Sequence, residues 1–337
     1  MLRFLLRYLN HLIFYYYLRL VNSLIVRIPE NIILYPIGLS IEVIRYFLTL
    51  PNYSIKYLAK PLSNSIYFPN NAINHGIVKS NINSEWFIDS NDPEIAYHPR
   101  RLFWLVYELT ESRTKDPSNL ICYTNKFIFD FSKSISIEKF PPYVLSECIS
   151  NLSLFNRSIN RSWVFLNQSQ ESFVLSAHKL LLMHLEFRGP FSTCNHILNN
   201  FRALYLSSQA LGIHDDKRFF LRFWKHVKSE LFCSSNILRE GSIHYHFLIT
   251  SWLFEICICA YEVNDKFILD AVNPYLISHL DLISWFSDKK SIPLFGDLSP
   301  DCPLEWLLPL SSYSNMKDPF ASIGSVSKGW DLLWNYE

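Results

Sequence analysis

From Pro99 onward, apolar residues recur at helical spacing, separated by short polar joints. The clearest face is Phe220, Phe223, Trp224, Val227 and Leu231, at i, i+3, i+4, i+7 and i+11. Asp215 and Asp216 stand ahead of it as capping residues. Tyr245 to Val263 is apolar almost all round, the pattern of a helix enclosed by others. Further helices are expected over 101–111, 141–155, 171–187 and 195–211. Pro141 and Pro142 open the second of these, and Gly212 closes the fourth. Asn273 and Pro274 are expected to start a last helix that reaches about Phe286. Strand-like alternation is rare before Lys289. The pattern predicts an all-α protein built of helical hairpins, layer on layer.

Composition agrees with that reading. Only 8 of 337 residues are glycine, against roughly 7% in an average protein, which weighs against Gly-rich nucleotide loops and turn-dense β-sandwiches. With 49% apolar residues, the chain has ample material for a core. Charge is balanced, 31 Lys+Arg against 30 Asp+Glu, which argues against a nucleic-acid partner. The seven cysteines form no CxxC pair and read as buried free thiols, a weak pointer to a reducing compartment.

Met1 to Ile28 is rich in Leu, Phe and Tyr, but Arg3, Arg7, Arg19 and Arg27 interrupt it. The longest uncharged stretch before Arg19, Tyr8 to Leu18, falls short of the roughly 20 residues a bilayer crossing needs. No transmembrane segment is expected there. An amphipathic helix packed on its own protein is the reading, with membrane-surface contact as the alternative. No small-residue cleavage site follows, so a signal peptide is not expected, and cytoplasm and periplasm both stay open. Residues 1–90 divide off as an N-terminal helical segment and linker, because 51–93 is rich in Pro, Asn and Ser. The main domain is expected over 91–310.

Three polar spots break the apolar background. In the first, His184 to Asn200, Ser192 or Thr193 would cap a helix whose first turn carries Asn195 and His196. Free backbone N–H groups and the helix dipole make such a place suited to a carboxylate. Asn199 lies one turn further on the same face. Capping asparagines and a satisfied core histidine are the plain alternative. The second spot, Glu240 to His246, sets Tyr245 between His244 and His246. Hydrogen-bonding neighbours can tune a tyrosine for acid–base work; a structural tyrosine is the alternative. No metal is expected, because histidines two apart face different sides of a helix. The third spot, Ile292 to Asp297, is a turn with one carboxylate.

Together the spots, HLE at 184–186, CNHILNNFRAL at 194–204, EGSIHYH at 240–246 and IPLFGD at 292–297, resemble the heparinase II/III-like polysaccharide lyase family. That family includes relatives encoded among surface-polysaccharide genes. Arg157 to Trp163 is similar to a further family stretch upstream. The resemblance implies an incomplete (α/α) toroid that binds an acidic polysaccharide and cleaves it by β-elimination at a uronic acid. It implies no cofactor. Asn195 matches the asparagine that neutralises the sugar carboxylate, and His196 the histidine beside it. Tyr245 matches the tyrosine that protonates the leaving oxygen and in some members also removes the C5 proton; His246 would orient it. Asn199, Glu240 and Asp297 are supporting positions. Arg188 is a candidate for the sugar carboxylate on the geometry of its guanidinium fork.

Two departures stand out. Cys194 occupies the position of a family glycine. After Asp297 no histidine follows, and 311–337 reads as the opening of a β-sandwich that the remaining residues are too few to build. The expectation is a truncated lyase, with a separately encoded β-domain as a partner. The alternative is an inactive glycan-binding or scaffold protein.

Overall fold

The computed structural model describes residues 93–103, 105, 118–131, 140–160, 162–163, 167–186, 194–213, 217–239 and 242–286, together with Tyr46. Among them run the helices α1 (Pro93–Arg101), α2 (Ser118–Phe131), α3 (Pro142–Asn160), α4 (Gln168–Met183), α5 (His196–Ala210), α6 (Lys217–Leu231), α7 (Ile243–Glu262) and α8 (Lys266–Phe286); Tyr46, Phe103 and Leu105 are helical as well. No strand occurs among the described residues, only a single antiparallel bridge between Phe232 and Leu238. The all-α expectation holds for them.

Alternate helices form layers. In one, α1 packs on α3, α3 on α5 and α5 on α7; in the other, α2 packs on α4 and α6 on α8. The layers meet where α4 and α6 lie against α5, α4 against α3 and α8 against α7. Helix α5 is therefore enclosed, and every residue from Ile197 to Ala210 is buried. Its serines turn their hydroxyls onto their own helix, Ser208 to the Tyr205 carbonyl at 2.7 Å for example, which satisfies polar groups that burial would otherwise penalise. The expected face of α6 is buried throughout. Each of those large side chains contributes about 1.5–3 kcal/mol by leaving water.

Helices α3, α5 and α7 run in the same direction. Tyr143 and Ser146, early in α3, meet His196 and Asn200, early in α5; further along, Asn151 meets Arg202. Arg202 in turn meets Glu255 of α7, and Tyr205 meets Asp265 just beyond that helix. The first turns of α3, α5 and α7 consequently open toward the same end of the layer.

Ion pairs tie this layer together inside the apolar core. Arg101 holds Glu147 at 3.1 Å, Arg202 is paired with Glu255, and Arg157 grips both oxygens of Glu262. Trp163 donates its indole N–H to the same Glu262 carboxylate at 2.9 Å. The Arg157 to Trp163 stretch thus fastens the end of α3 to the end of α7.

Several element bounds differ from the pattern read in the sequence. Helix α1 ends at Arg101, where Leu102 takes a left-handed backbone (φ 59°); helix resumes at Phe103 and Leu105, inside the expected 101–111 span, most of which lies outside the described residues. Helix α2 carries no sequence expectation, yet Leu120, Phe127 and Ile128 pack it on the core. Pro274 lies inside α8, which begins earlier because Asp265 accepts the Ile268 amide at 3.3 Å. Gly212 does close α5, with φ 68°. Helix α7 is long and apolar enough to cross a membrane by length and composition, and most of it is buried inside the protein. Residues 1–45, 214–216 and 287–337 lie outside the described residues, and with them the amino-terminal helix, the Asp215 and Asp216 cap and the start of a β-domain.

Candidate active site at the helix starts

The start of α5 builds a polar cluster around His196. Asn195 sits at its N-cap with helical backbone angles and makes no side-chain capping bond. The cap expected from Ser192 or Thr193 falls on residues outside the description. Asn195 is buried to 5% exposure, beside the positive end of a helix of about four turns.

His196 follows on the first turn and is fixed from two directions. Its Nδ1 lies 3.0 Å from Glu186 Oε1, and its ring stacks on Tyr143 of α3 at a centroid distance of 4.8 Å and 24°. Glu186 is itself held by Asn200. The Glu186 amide donates to Asn200 Oδ1 at 2.7 Å, and Asn200 Nδ2 donates back to Glu186 Oε2 at 3.0 Å. Asn200 Nδ2 also reaches the Ser146 hydroxyl at 2.9 Å. The carboxylate therefore has one geometry, and so does the imidazole on it.

The charge state of His196 follows from these neighbours. Burial alone would lower its pKa, but hydrogen bonds to Cys194 and Glu186, with the charge of each, outweigh it and raise the value to about 10. At neutral pH the ring is an imidazolium. Burial would push the Cys194 thiol pKa up, and the interaction with His196 brings it below the ordinary value instead.

Asn199 points its amide back to the Tyr143 carbonyl at 3.2 Å and accepts from Arg202 at 3.2 Å. It joins the start of α5 to the buried Arg202–Glu255 pair, a positioning role. Arg101 lies over the same Tyr143 ring, at 5.1 Å from its centroid.

Tyr245 and His246 occupy the first turn of α7, the neighbour of α5 in the same layer. Ser242 caps this helix by accepting the Tyr245 amide at 3.1 Å, so the glycine-serine pair ahead of the helix ends in a functioning cap. The Tyr245 ring is half-buried and edge-on to His244, 6.0 Å between centroids. His246 turns away, into the α7–α8 interface. Its Nε2–H donates to the His279 carbonyl at 3.1 Å, and the two imidazoles stack at 4.2 Å. Burial lowers the His246 pKa to about 4.

The structure thus brings Asn195, His196 and Asn199 into one cluster and sets Tyr245 on the first turn of the adjoining parallel helix. His246 goes to a packing interface. Arg188, Glu240 and Asp297 lie outside the described residues. Among the described residues no group of three His, Cys, Asp or Glu side chains is arranged to hold a metal. Sequence reading passed over Tyr143 and Asn200, and gave Glu186 no role at His196. The motif HLE did place Glu186 ahead of the Asn-His pair, and that spacing was its one signal. No protein-family model, curated protein or solved structure matches this chain.

Proposed function

We propose that this chain is a polysaccharide lyase-like protein that binds a uronic-acid-containing glycan and cleaves it by β-elimination. The observation that carries the reading is the placement of Asn195 and the Glu186-held His196 imidazolium at one helix start, with Tyr245 on the first turn of the next parallel helix. The alternating two-layer packing supports an (α/α) toroid, in which the parallel helix starts would rim a cleft.

The chemistry follows from the need to remove a weakly acidic proton. A uronate's C5–H becomes removable once the negative charge on the adjoining carboxylate is neutralised, because the carbanion then spreads onto it as an enolate. An imidazolium, a buried amide and a helix N-terminus are the donors such a carboxylate requires. The Tyr245 phenol supplies the proton that the O4 leaving group takes, and as phenolate it accepts the proton from C5. The bond to O4 breaks and a C4–C5 double bond forms. No cofactor takes part.

The test is to incubate the full chain with a panel of uronic-acid glycans and follow the ultraviolet absorbance of the conjugated double bond. Tyr245→Phe is expected to abolish the absorbance rise and leave glycan binding within about twofold, since a phenol removed without loss of shape removes transition-state chemistry only. Full activity in that variant overturns the role of Tyr245. Saccharide binding without product from any glycan would identify a non-catalytic glycan-binding protein instead.

A further inference from the structure

Helix α6 has two contrasting faces. Phe219, Phe220, Phe223, Trp224 and Val227 enter the core. Lys217, Arg218, Arg222, Lys225 and Lys228 are all exposed. At 100° per residue these five fall within an arc of about 140°, and at 1.5 Å per residue they span about 17 Å of helix. The helix carries one carboxylate, Glu230, near its far end. Among the described residues Lys217, Arg218, Lys225 and Lys228 enter no ion pair. A chain whose net charge is only +1 thus gathers positive charge on one helix. Cations at i, i+3 and i+4 repel one another, and Lys217 and Arg218 stand at the positive end of the helix dipole as well. An anionic partner relieves both effects.

Aromatic rings flank the basic face at one end. Helix α8 runs beside α6 in the same direction: Trp224 donates its indole N–H to the Ala271 carbonyl at 2.9 Å, and Phe232 packs edge-on to His279. At the start of the pair the Lys217 ammonium lies 5.2 Å from the centroid of the Phe267 ring. Phe267 is 58% exposed, and Tyr261 at the end of α7 is 39% exposed; they are the exposed large hydrophobic residues among those described. Lys266, between them in sequence, is exposed too, whereas Asp270 and Asp281 are the exposed carboxylates of α8.

We propose that the basic face of α6, with Phe267 at its edge, is an interaction surface for an anionic phospholipid bilayer. A linear polyanion would use the cations alone. A bilayer uses both components, because basic side chains reach anionic headgroups while aromatic rings settle at the polar–apolar boundary. The cations also line the outside of a helix, an arrangement suited to an extended surface. The helix directions set the orientation. Helix α6 is antiparallel to α5, since Phe220 meets Tyr205 and Trp224 meets Phe201; α8 is antiparallel to α7, since His279 meets His246. The aromatic edge therefore lies at the opposite end from the helix starts that carry Asn195, His196 and Tyr245, and docking there does not cover them. This surface goes beyond the glycan reading and stands without it.

The experiment is co-sedimentation of the full chain with vesicles of phosphatidylcholine alone and with about 30% phosphatidylserine added. Binding is expected to the serine-lipid vesicles only, and to be lost at about 1 M salt, where the screening length falls to about 3 Å. The triple change Arg218→Gln, Lys225→Gln and Lys228→Gln should weaken binding about 100-fold, about fivefold per charge. Phe267→Ser, on the other helix, should weaken it severalfold, and decides the matter if the triple variant fails to fold. Equal binding to both vesicle types overturns the proposal, as does the absence of binding to phosphatidylserine or undiminished binding by the folded variants. Capture of soluble polyuronate or duplex DNA without vesicle binding would overturn it in favour of a linear polyanion.

Discussion

His196 Nδ1 and Glu186 Oε1 are 3.0 Å apart, although they lie on opposite sides of the joint between α4 and α5. Because Asn200 fixes Glu186 through two reciprocal hydrogen bonds, the imidazole meets a carboxylate that cannot swing away. With Cys194, this pair converts a ring that burial would neutralise into a cation.

The pair makes a pH-dependent contribution to stability. A histidine raised in the folded chain to about 10 stabilises fully below its unfolded value of about 6.5 and loses that contribution as pH rises through 10. Thermal or urea unfolding between pH 6 and 10 should therefore show a decline attributable to His196. His196→Gln should flatten it. Glu186→Gln should lower the His196 titration midpoint, read by the NMR shifts of its ring protons. A midpoint that does not move would remove Glu186 from the account.

The stacked His246–His279 pair predicts the opposite sign at acid pH. Thr250 donates its hydroxyl to the His246 carbonyl at 2.6 Å, so it accepts from His279 Nδ1–H at 3.2 Å. Burial keeps both rings neutral and lowers the pKa of each, that of His246 to about 4. The unfolded chain binds protons that the folded one refuses, so stability should fall as pH drops from about 6.5 toward 4. His246→Asn should reduce that acid slope while lowering stability at pH 7; an unchanged slope would contradict the assignment.

Breaking the Arg202–Glu255 pair should be costly because both side chains are almost fully buried. Burial raises the pKa of Glu255, and Arg202 opposes that rise. Removing Arg202 leaves Glu255 in the core without its cation. Arg202→Met is expected to destabilise by about 3–5 kcal/mol, and the double change with Glu255→Leu by distinctly less. Urea unfolding of the two variants checks this.

Gly212 offers a smaller and cleaner test. No atom lies within 4 Å of where a Cβ would sit, so the cost of Gly212→Ala comes from its φ of 68° alone. A loss of about 1 kcal/mol is expected. A loss several times larger would mean that the space beside Gly212 is not open.

What was legible in the sequence was periodic. Phe220, Phe223, Trp224, Val227 and Leu231 announce one helical face, and all five are buried. The near-continuous apolar run over 245–263 announced an enclosed helix, which α7 is. Residues that meet across helices left no such trace. Tyr143 reaches His196 only because α3 and α5 are parallel and in register, a property of packing and not of either local pattern. Pro274 misled for a related reason: a proline at the start of a helix is favourable, but the Asp265 cap begins α8 earlier and the helix carries the proline inside. The resemblance gives His246 the task of orienting Tyr245, whereas neighbours on a helix diverge by about 100°, and the ring enters the α7–α8 interface.

The central claim is elimination, and the origin of oxygen in the product distinguishes it most directly. The full chain is incubated with uronic-acid glycans in water enriched in heavy oxygen, and the products are weighed. The account predicts unsaturated oligosaccharides, lighter by one water than hydrolysis products and free of solvent oxygen at the cleaved bond. Saturated products that carry the label would contradict it, and so would the absence of cleavage across every uronic-acid glycan offered.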